Sequence, residues 1–419
     1  MTVIKPSGIA WIGDIPTDWE MKKVKYISTL KGRIGWQGLT SDEYTDEGAY
    51  LITGTDFDNG GINWETCVHV PMKRWEEAKD IQIENGDLLI TKDGTVGKVA
   101  IVSGLNAPCS LNSGVLRIST REGYDRRFLF WVLQSEVFWT WFSNKNAGNS
   151  TILHLYQGDF AEFNYAIPSL AEQRAIAAFL YDRCGYIDGI VAALEQQVEI
   201  LRQYKKALIT ETVTKGLDKS APMIAVGFDV ANEMPQNWTK TKVKYLCSMQ
   251  SGDAITSEEI TEDDDYPVYG GNGQRGYYSK FNTEGEYVLI GRQGALCGNV
   301  HMVSGKFWAS DHAVVTYPYS NAVNKFLYYL FIALNFNQYS TTAAQPGLAV
   351  ATIQRVSLGV PPKKEQYEIA DLLDGKCAKV DALVSEKERS IETVRQYKKS
   401  LIYEYVTGKK CVATGGAVR

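Results

Sequence analysis

The residues best suited to chemistry in this chain are few and scattered. Gly271, Gly273 and Gly276 stand in the spacing of a dinucleotide-binding fingerprint. That motif needs a strand before it and a helix N-terminus after it, so that backbone N–H groups can cradle a pyrophosphate. Here Tyr277-Tyr278-Ser279-Lys280 follows, and no βαβ pattern surrounds it. Two readings remain for Gly270 to Gly276: a tight turn, or a loop whose Asn, Gln and Arg tips enter a nucleic-acid groove. The four histidines (His69, His154, His301, His312) lack metal-ligand spacing, and the seven cysteines form no C-x-x-C pair. Asp311-His312 is a lone acid–imidazole pair and reads as structural, since nothing in the sequence assembles a nucleophile with its base. No Walker loop, methyl-donor site or Asn- or Asp-Pro-Pro-aromatic motif is found, so the residues that matter are expected to bind, not to catalyse.

Polar side chains capable of reading a duplex are better represented. Base edges are read by fork-like or amide side chains, while Lys and Arg on phosphates hold register. The candidates are Arg33, Trp36, Gln37, Lys92, Thr95, Lys98 and Asn112 in the first half, and Asn272, Gln274, Arg275, Arg292, Gln293 and His312 in the second. Matching lysine clusters, Lys22, Lys23, Lys25 and Lys240, Lys242, Lys244, read by default as solvated surface, and otherwise as phosphate contacts.

What positions these residues is an internal repeat. Arg202-Gln203-Tyr204-Lys205-Lys206 recurs as Arg395-Gln396-Tyr397-Lys398-Lys399, and Glu172-Gln173 recurs as Glu365-Gln366. Upstream, Pro16, Trp19 and Lys23-Val24-Lys25-Tyr26 answer Pro235, Trp238 and Lys242-Val243-Lys244-Tyr245; Leu89-Ile90 and Gly94 answer Leu289-Ile290 and Gly294. The chain is therefore two variable modules alternating with two segments of matched length.

The matched segments carry a heptad seam. From Glu172 to Thr214 apolar residues fall on two rows, Ala177, Cys184, Val191, Val198 and Leu180, Ile187, Leu194, Leu201, Leu208. The second copy keeps the rows through Ala370, Cys377, Val384, Ile391 and Leu373, Val380, Val394, Leu401, with Lys387 where the first has Leu194. Ser169 to Glu172 fits a capping box, Gly216 a helix end, and Gly185 and Gly189 a weak point where a bend is allowed. Some 40 residues of helix make a rod of roughly 60 Å. Two equal stripes are expected to bury each other as an antiparallel coiled coil, with the modules at opposite ends and a pseudo-twofold relation between them.

Within the modules, residues 87–91 and 98–102 read as strands around the turn Lys92 to Gly97, and Tyr287 to Ile290 with Asn299 to Val303 repeat that plan. Aromatic helical stretches follow at Phe128 to Trp141 and Phe326 to Phe336. The expected fold class is α+β: two mixed α/β recognition domains separated by paired long helices. The expected division is 1–168, first module; 169–216, central helix; 217–361, second module; 362–419, C-terminal helix.

Length and composition agree. A chain of 419 residues, 44% hydrophobic and 22% charged, is globular and of two or three domains. The longest apolar run, Phe326 to Leu334, is too short to span a bilayer, and no secretory signal is visible, so the expected location is the cytoplasm. A net charge of −5 argues against a uniformly basic nucleic-acid binder but leaves room for local basic faces.

With these residues in view, the chain resembles the specificity subunit of type I restriction–modification enzymes over essentially its whole length. The resemblance rests on the Pro168 to Ala177 and Pro361 to Ala370 helix starts, the opening Ile12-Gly13-Asp14-Ile15-Pro16 with Trp19, Lys31 to Leu39, Gly54-Thr55-Asp56-Phe57, Leu89 to Gly97, and Tyr269 to Gly273. It implies a non-catalytic reader of double-stranded DNA, each module taking one half of a bipartite asymmetric site, with the helices setting the spacing and docking two modification subunits. It also implies that S-adenosylmethionine belongs to those partners, that ATP and Mg²⁺ belong to restriction subunits, and that this chain holds no cofactor and meets no membrane. Two rivals stand beside it: a coiled-coil scaffold that binds only protein, and a nuclease or methyltransferase with its own active site.

Overall fold

The computed structural model describes residues 3–33, 39–147, 153–294, 297–340 and 347–412. They form two compact units, 1–193 with 390–419, and 194–389. These units cut across the four segments drawn from sequence, because the ends of the long helices pack into the modules' cores. Four helices organise the chain: α1 (Arg126–Gln134), α2 (Leu170–Lys215), α3 (Asn324–Leu334) and α4 (Lys363–Val406).

The first unit is built on a four-stranded antiparallel sheet. Its strands are β1 (Ser28–Gly32), β2 (Leu88–Thr91), β3 (Val99–Ile101) and β4 (Val115–Thr120), in the order β3-β2-β4-β1. All four residues of β2 are buried, as a central strand covered on both faces requires. Helix α1 starts on the Asp125 side chain, which accepts from the N–H groups of Arg127 and Phe128 at 2.9 and 3.1 Å. The aromatic stretch expected as one helix breaks at Ser135. Its hydroxyl donates to Val132 O at 2.7 Å and accepts from Val137 N at 3.2 Å, so it closes α1 and caps a new helix, Glu136–Lys145. The core joins Trp19, Phe128, Phe138 and Phe163 to Leu180, Cys184 and Ile187 of α2 and to Leu401, Ile402 and Tyr405 of α4.

The second unit repeats the plan. Strands β5 (Cys247–Ser251), β6 (Thr283–Gly291), β7 (Val300–Ala309) and β8 (Ala313–Pro318) lie in the order β7-β6-β8-β5, and the hairpin Tyr266–Gly270/Gly273–Tyr278 extends the sheet beyond β7. β6 and β7 run longer than the sequence suggests, nine and ten residues, pairing from Thr283↔Phe307 to Ile290↔Val300. Helix α3 ends at Asn335, which takes the left-handed conformation at φ 45°. The core joins Trp238, Phe326, Phe331 and Phe336 to Ile209 and Val213 of α2 and to Ile369, Leu373 and Cys377 of α4.

Both long helices keep the predicted seam. All nine residues on its rows in α2 are buried or half-buried, as are all eight in α4. Their course is antiparallel in each unit. In the first, the Phe179 ring meets Tyr405 at 4.5 Å and Asp188 pairs with Lys398 at 2.6 Å. In the second, Gln197 bonds Lys387 at 2.6 Å and Lys205 pairs with Asp381 at 2.7 Å. The interruption at Lys387 is thus explained by a polar partner facing it. Helix α2 runs unbroken through Gly185 and Gly189, both exposed, and stops at Gly216, φ 75°. The capping box is only half formed. Ser169 Oγ accepts from Glu172 N at 3.3 Å, but the Glu172 carboxylate turns away to Trp19.

Among the described residues no helix is long and apolar enough to cross a membrane. Six of the cysteines are buried free thiols, and Cys411 is exposed.

Candidate nucleic-acid interface

In the first unit the β2–β3 turn, residues 92–98, is held from three sides. Gly94 and Gly97 take φ of 69° and 84°, the left-handed geometry that glycine supplies without strain. Thr91 Oγ1 donates to Thr95 O and accepts from Lys98 N at 3.0 Å. Thr95 Oγ1 reaches across to Gly54 O at 3.1 Å. Lys92 N donates to Gly114 O at 2.8 Å, and Leu155 N donates to Lys92 O at 2.9 Å. Lys92 is half-buried, and Thr95 and Lys98 are exposed.

Two other candidates of this module are committed to the fold. Arg33 is 5% exposed; its Nε donates to Leu111 O at 2.7 Å and its Nη2 to Ser110 Oγ at 3.1 Å. Burial, reinforced by nearby Arg74, pulls its pKa below the ordinary guanidinium value. It is a strut under the strand Cys109–Leu111. Asn112 is half-buried and donates from Nδ2 to Tyr44 OH at 3.4 Å, while its Oδ1 accepts from the Ser113 N–H and hydroxyl. Trp36 and Gln37 lie outside the described residues.

Sequence reasoning missed a neighbour of this turn. His154 Nδ1 meets Asp93 Oδ1, and its ring packs on Tyr156 at 4.3 Å, leaving Tyr156 59% exposed. Nothing in the spacing of Asp93 and His154 signals the pair, because a long connection separates them.

In the second unit three turns converge. Gly271 lies so close to Gln293 that a Cβ on it would stand 2.8 Å from the Gln293 carbonyl, and a Cβ on Gly291 would collide with the Gly271 carbonyl. These glycines are there for close backbone approach. The hairpin after Gly271 is strand, not helix, so the fingerprint spacing is a tight turn. Around it, exposed Asn272 accepts at Oδ1 from Asn299 Nδ2 at 3.1 Å. Arg292 is half-buried and donates from Nη1 to Ser251 Oγ at 3.2 Å. His312 stands across from it, its carbonyl accepting from Arg292 N at 2.8 Å. Gln293 is exposed and pairs through its backbone with Gly347. Gln274 and Arg275 are exposed along the adjoining hairpin strand. The structure thus brings Asn272, Arg292, Gln293 and His312 together.

The two sites are one frame used twice. Arg292 N to His312 O repeats Lys92 N to Gly114 O, and Leu348 N to Arg292 O at 2.9 Å repeats Leu155 N to Lys92 O. Gly298 N to Gly291 O at 2.7 Å repeats Gly97 N to Thr91 O at 2.9 Å. Lys92 and Arg292 therefore occupy the same position, a cation at the meeting of three segments, surrounded by unlike side chains. The repeated Leu-Ile and Gly upstream and within each turn already align these two residues in the sequence.

A second repeated device ties each module to its helix. Trp19 Nε1 donates to Glu172 Oε2 at 3.2 Å, and Trp238 Nε1 to Glu365 Oε2 at 3.1 Å. Gln173 accepts from Asp125 N and Gln366 from Val323 N, both at 2.8 Å, while their amides donate to Pro168 O and Pro361 O. The Glu-Gln repeat is a latch that sets where each helix leaves its module. Burial raises the pKa of both glutamates.

Comparison with known proteins agrees with this double frame. The family model for the type I restriction modification DNA specificity domain matches residues 16–200 and again 235–393. The EcoprrI type I restriction enzyme specificity subunit of Escherichia coli is 30% identical over 303 residues, covering 68% of this chain and 70% of its own. The putative MjaX specificity subunit of Methanocaldococcus jannaschii is 24% identical over 432 residues, covering 96% of both chains. A solved chain of a type I restriction–modification system, 15% identical, superposes with a TM-score of 0.71 over 94% of this chain and 98% of its own. The chain belongs to the type I restriction–modification DNA-specificity family, as a specificity subunit and not as an enzyme.

Proposed function

We propose that the two modules read the two halves of a bipartite, asymmetric site in double-stranded DNA, the first through the Lys92 to Lys98 turn and the second through Asn272, Arg292, Gln293 and His312. The observation that carries this reading is the shared frame presenting Lys92 in one module and Arg292 in the other. An arginine fork favours guanine N7 and O6, whereas a lysine offers a point charge, so equal frames with unequal tips read unlike bases. Gln274, Arg275, Thr95 and Lys98 flank these tips as further contacts. Arg33 and Asn112 act from behind, by holding strands in place.

In this reading segments 1–168 and 217–361 recognise DNA, and segments 169–216 and 362–419 space the halves and dock two modification subunits. Those subunits use S-adenosylmethionine to methylate adenine; restriction subunits, with ATP and Mg²⁺, join them to cleave. The work is done in the cytoplasm, where the DNA lies.

Mapping methylated adenines in DNA from cells carrying the system tests the proposal. The expected outcome is one split motif with unlike halves, and an undivided palindrome overturns it. Arg292→Ala is expected to relax base preference in one half only, by about 1–3 kcal/mol at one position. Equal loss on every sequence would reassign Arg292 to phosphate.

A further inference from the structure

The two units share one more corner, and one charge in it is inverted between them. Strand Glu20–Lys23 pairs with Asn164–Ile167 in the first unit, and Thr239–Lys242 with Ser357–Val360 in the second. Lys23 faces Asn164 as Lys242 faces Ser357. Val24 N donates to Phe163 O at 2.9 Å as Val243 N donates to Val356 O at 3.1 Å. The residue before each of those acceptors is therefore equivalent: Glu162 in the first unit, Arg355 in the second.

In the first unit Glu162 binds Lys23 at 2.7 Å and Lys25 at 2.5 Å, while Glu20 binds Lys22 at 2.9 Å. Its lysines are answered from within. In the second unit Lys240, Lys242, Lys244 and Arg355 are all exposed, and among the described residues none of them forms an ion pair. Lys240 lies 5.2 Å from the Phe228 ring and Lys244 4.8 Å from that of Tyr245, itself 57% exposed. Those rings hold the ammonium groups in place without cancelling their charge.

We infer that this corner of the second unit binds the phosphodiester backbone of nucleic acid, and that its counterpart in the first unit does not. The inference rests on the second module being a DNA reader. Lys240 and Lys242 share one face of a strand, about 6.6 Å apart along it. That step is close to the rise of two nucleotides along a duplex strand, at roughly 3.4 Å each. From the corner, β5 leads in five residues to Ser251, whose hydroxyl holds Arg292. That is about 17 Å of extended chain, or roughly five base pairs of duplex. A duplex read at the Arg292 tip is thus within reach of a row of unneutralised cations on the same module.

The test measures DNA binding across a KCl series, using the full chain assembled with its modification subunits, on a duplex carrying the mapped site and on an unrelated duplex. The variant K240Q/K242Q/K244Q/R355Q is expected to lower the slope of log K against log salt by roughly 3–4 and to weaken both duplexes by the same factor. K23Q/K25Q is expected to leave the slope unchanged. Glu162→Arg, which frees two lysines and adds a cation, is expected to steepen it by roughly 2–3, a gain that no folding defect imitates. An unchanged slope in the fourfold variant overturns the inference. So does loss of assembly with the modification subunits before DNA is added, which assigns the corner to an acidic protein surface. A loss confined to the mapped site makes these base contacts and also overturns it. Salt-independent binding by the unaltered complex would sink the DNA-reading proposal itself.

Discussion

Glu172 and Glu365 show how a residue that looks like a surface charge at a helix start becomes a fastening. Each accepts a tryptophan indole N–H, and burial raises its pKa. Raised carboxyl values mean that the charged form is the costly one, so the cost grows as pH rises through the folded-state value. Glu365→Gln keeps an acceptor for Trp238 without the charge and is expected to melt no lower than the parent at pH 7. Glu365→Ala leaves the indole unmet and is expected to lose about 1–3 kcal/mol. Glu162 behaves oppositely. Lys23 and Lys25 hold its carboxyl down at about 2 against an ordinary 4.5. Its contribution is present above pH 4.5 and is lost as pH falls toward 2. Thermal melts of the parent and Glu162→Gln are expected to differ at pH 6 and to converge at the acid end of that window.

At the scale of elements, the long helices are stronger in packing than in local propensity. Gly185 and Gly189 sit on an exposed face, and a Cβ at either would meet nothing within 4 Å. Replacing both with alanine is expected to raise stability by about 1 kcal/mol per site, read by denaturant titration. The Lys-Lys ending of the repeated pentapeptide is explained by its first lysine: Lys205 binds Asp381 and Lys398 binds Asp188. The two lysines and the two aspartates are each related by the offset of the repeat, so the pairs are one contact made twice. Both aspartates are more than half exposed. Asp188→Asn is therefore expected to cost no more than about 1 kcal/mol, and the pairs fix helix register more than they stabilise it.

For the whole molecule, the first core is completed by a helix end from the far side of the sequence, whereas the second draws on the helix ends that flank its own module. Leu401, Ile402, Tyr405 and Val406 are buried among residues of the first module, although the entire second module separates them from α2's first turns. Burying each such side chain is worth about 1.5–3 kcal/mol. A chain cut after Gly216 loses all four, an amount comparable with the total stability of a typical domain. Light scattering is expected to find that fragment associated or aggregated; a stable monomer would contradict the pairing.

The repeat, the helix limits near Gly216, the heptad rows and the strand–turn–strand motifs were legible in the residues themselves, because each depends on local periodicity or on copies that can be laid side by side. The alignment of Lys92 with Arg292 was legible too. What only the folded chain decided were contacts between distant segments: Arg33 turned inward beneath a strand, His154 brought to Asp93, the Ser135 break, and the exchange of Glu162 for Arg355 beside equivalent lysines. Cross-strand register and burial set those, and a linear sequence carries no direct record of either.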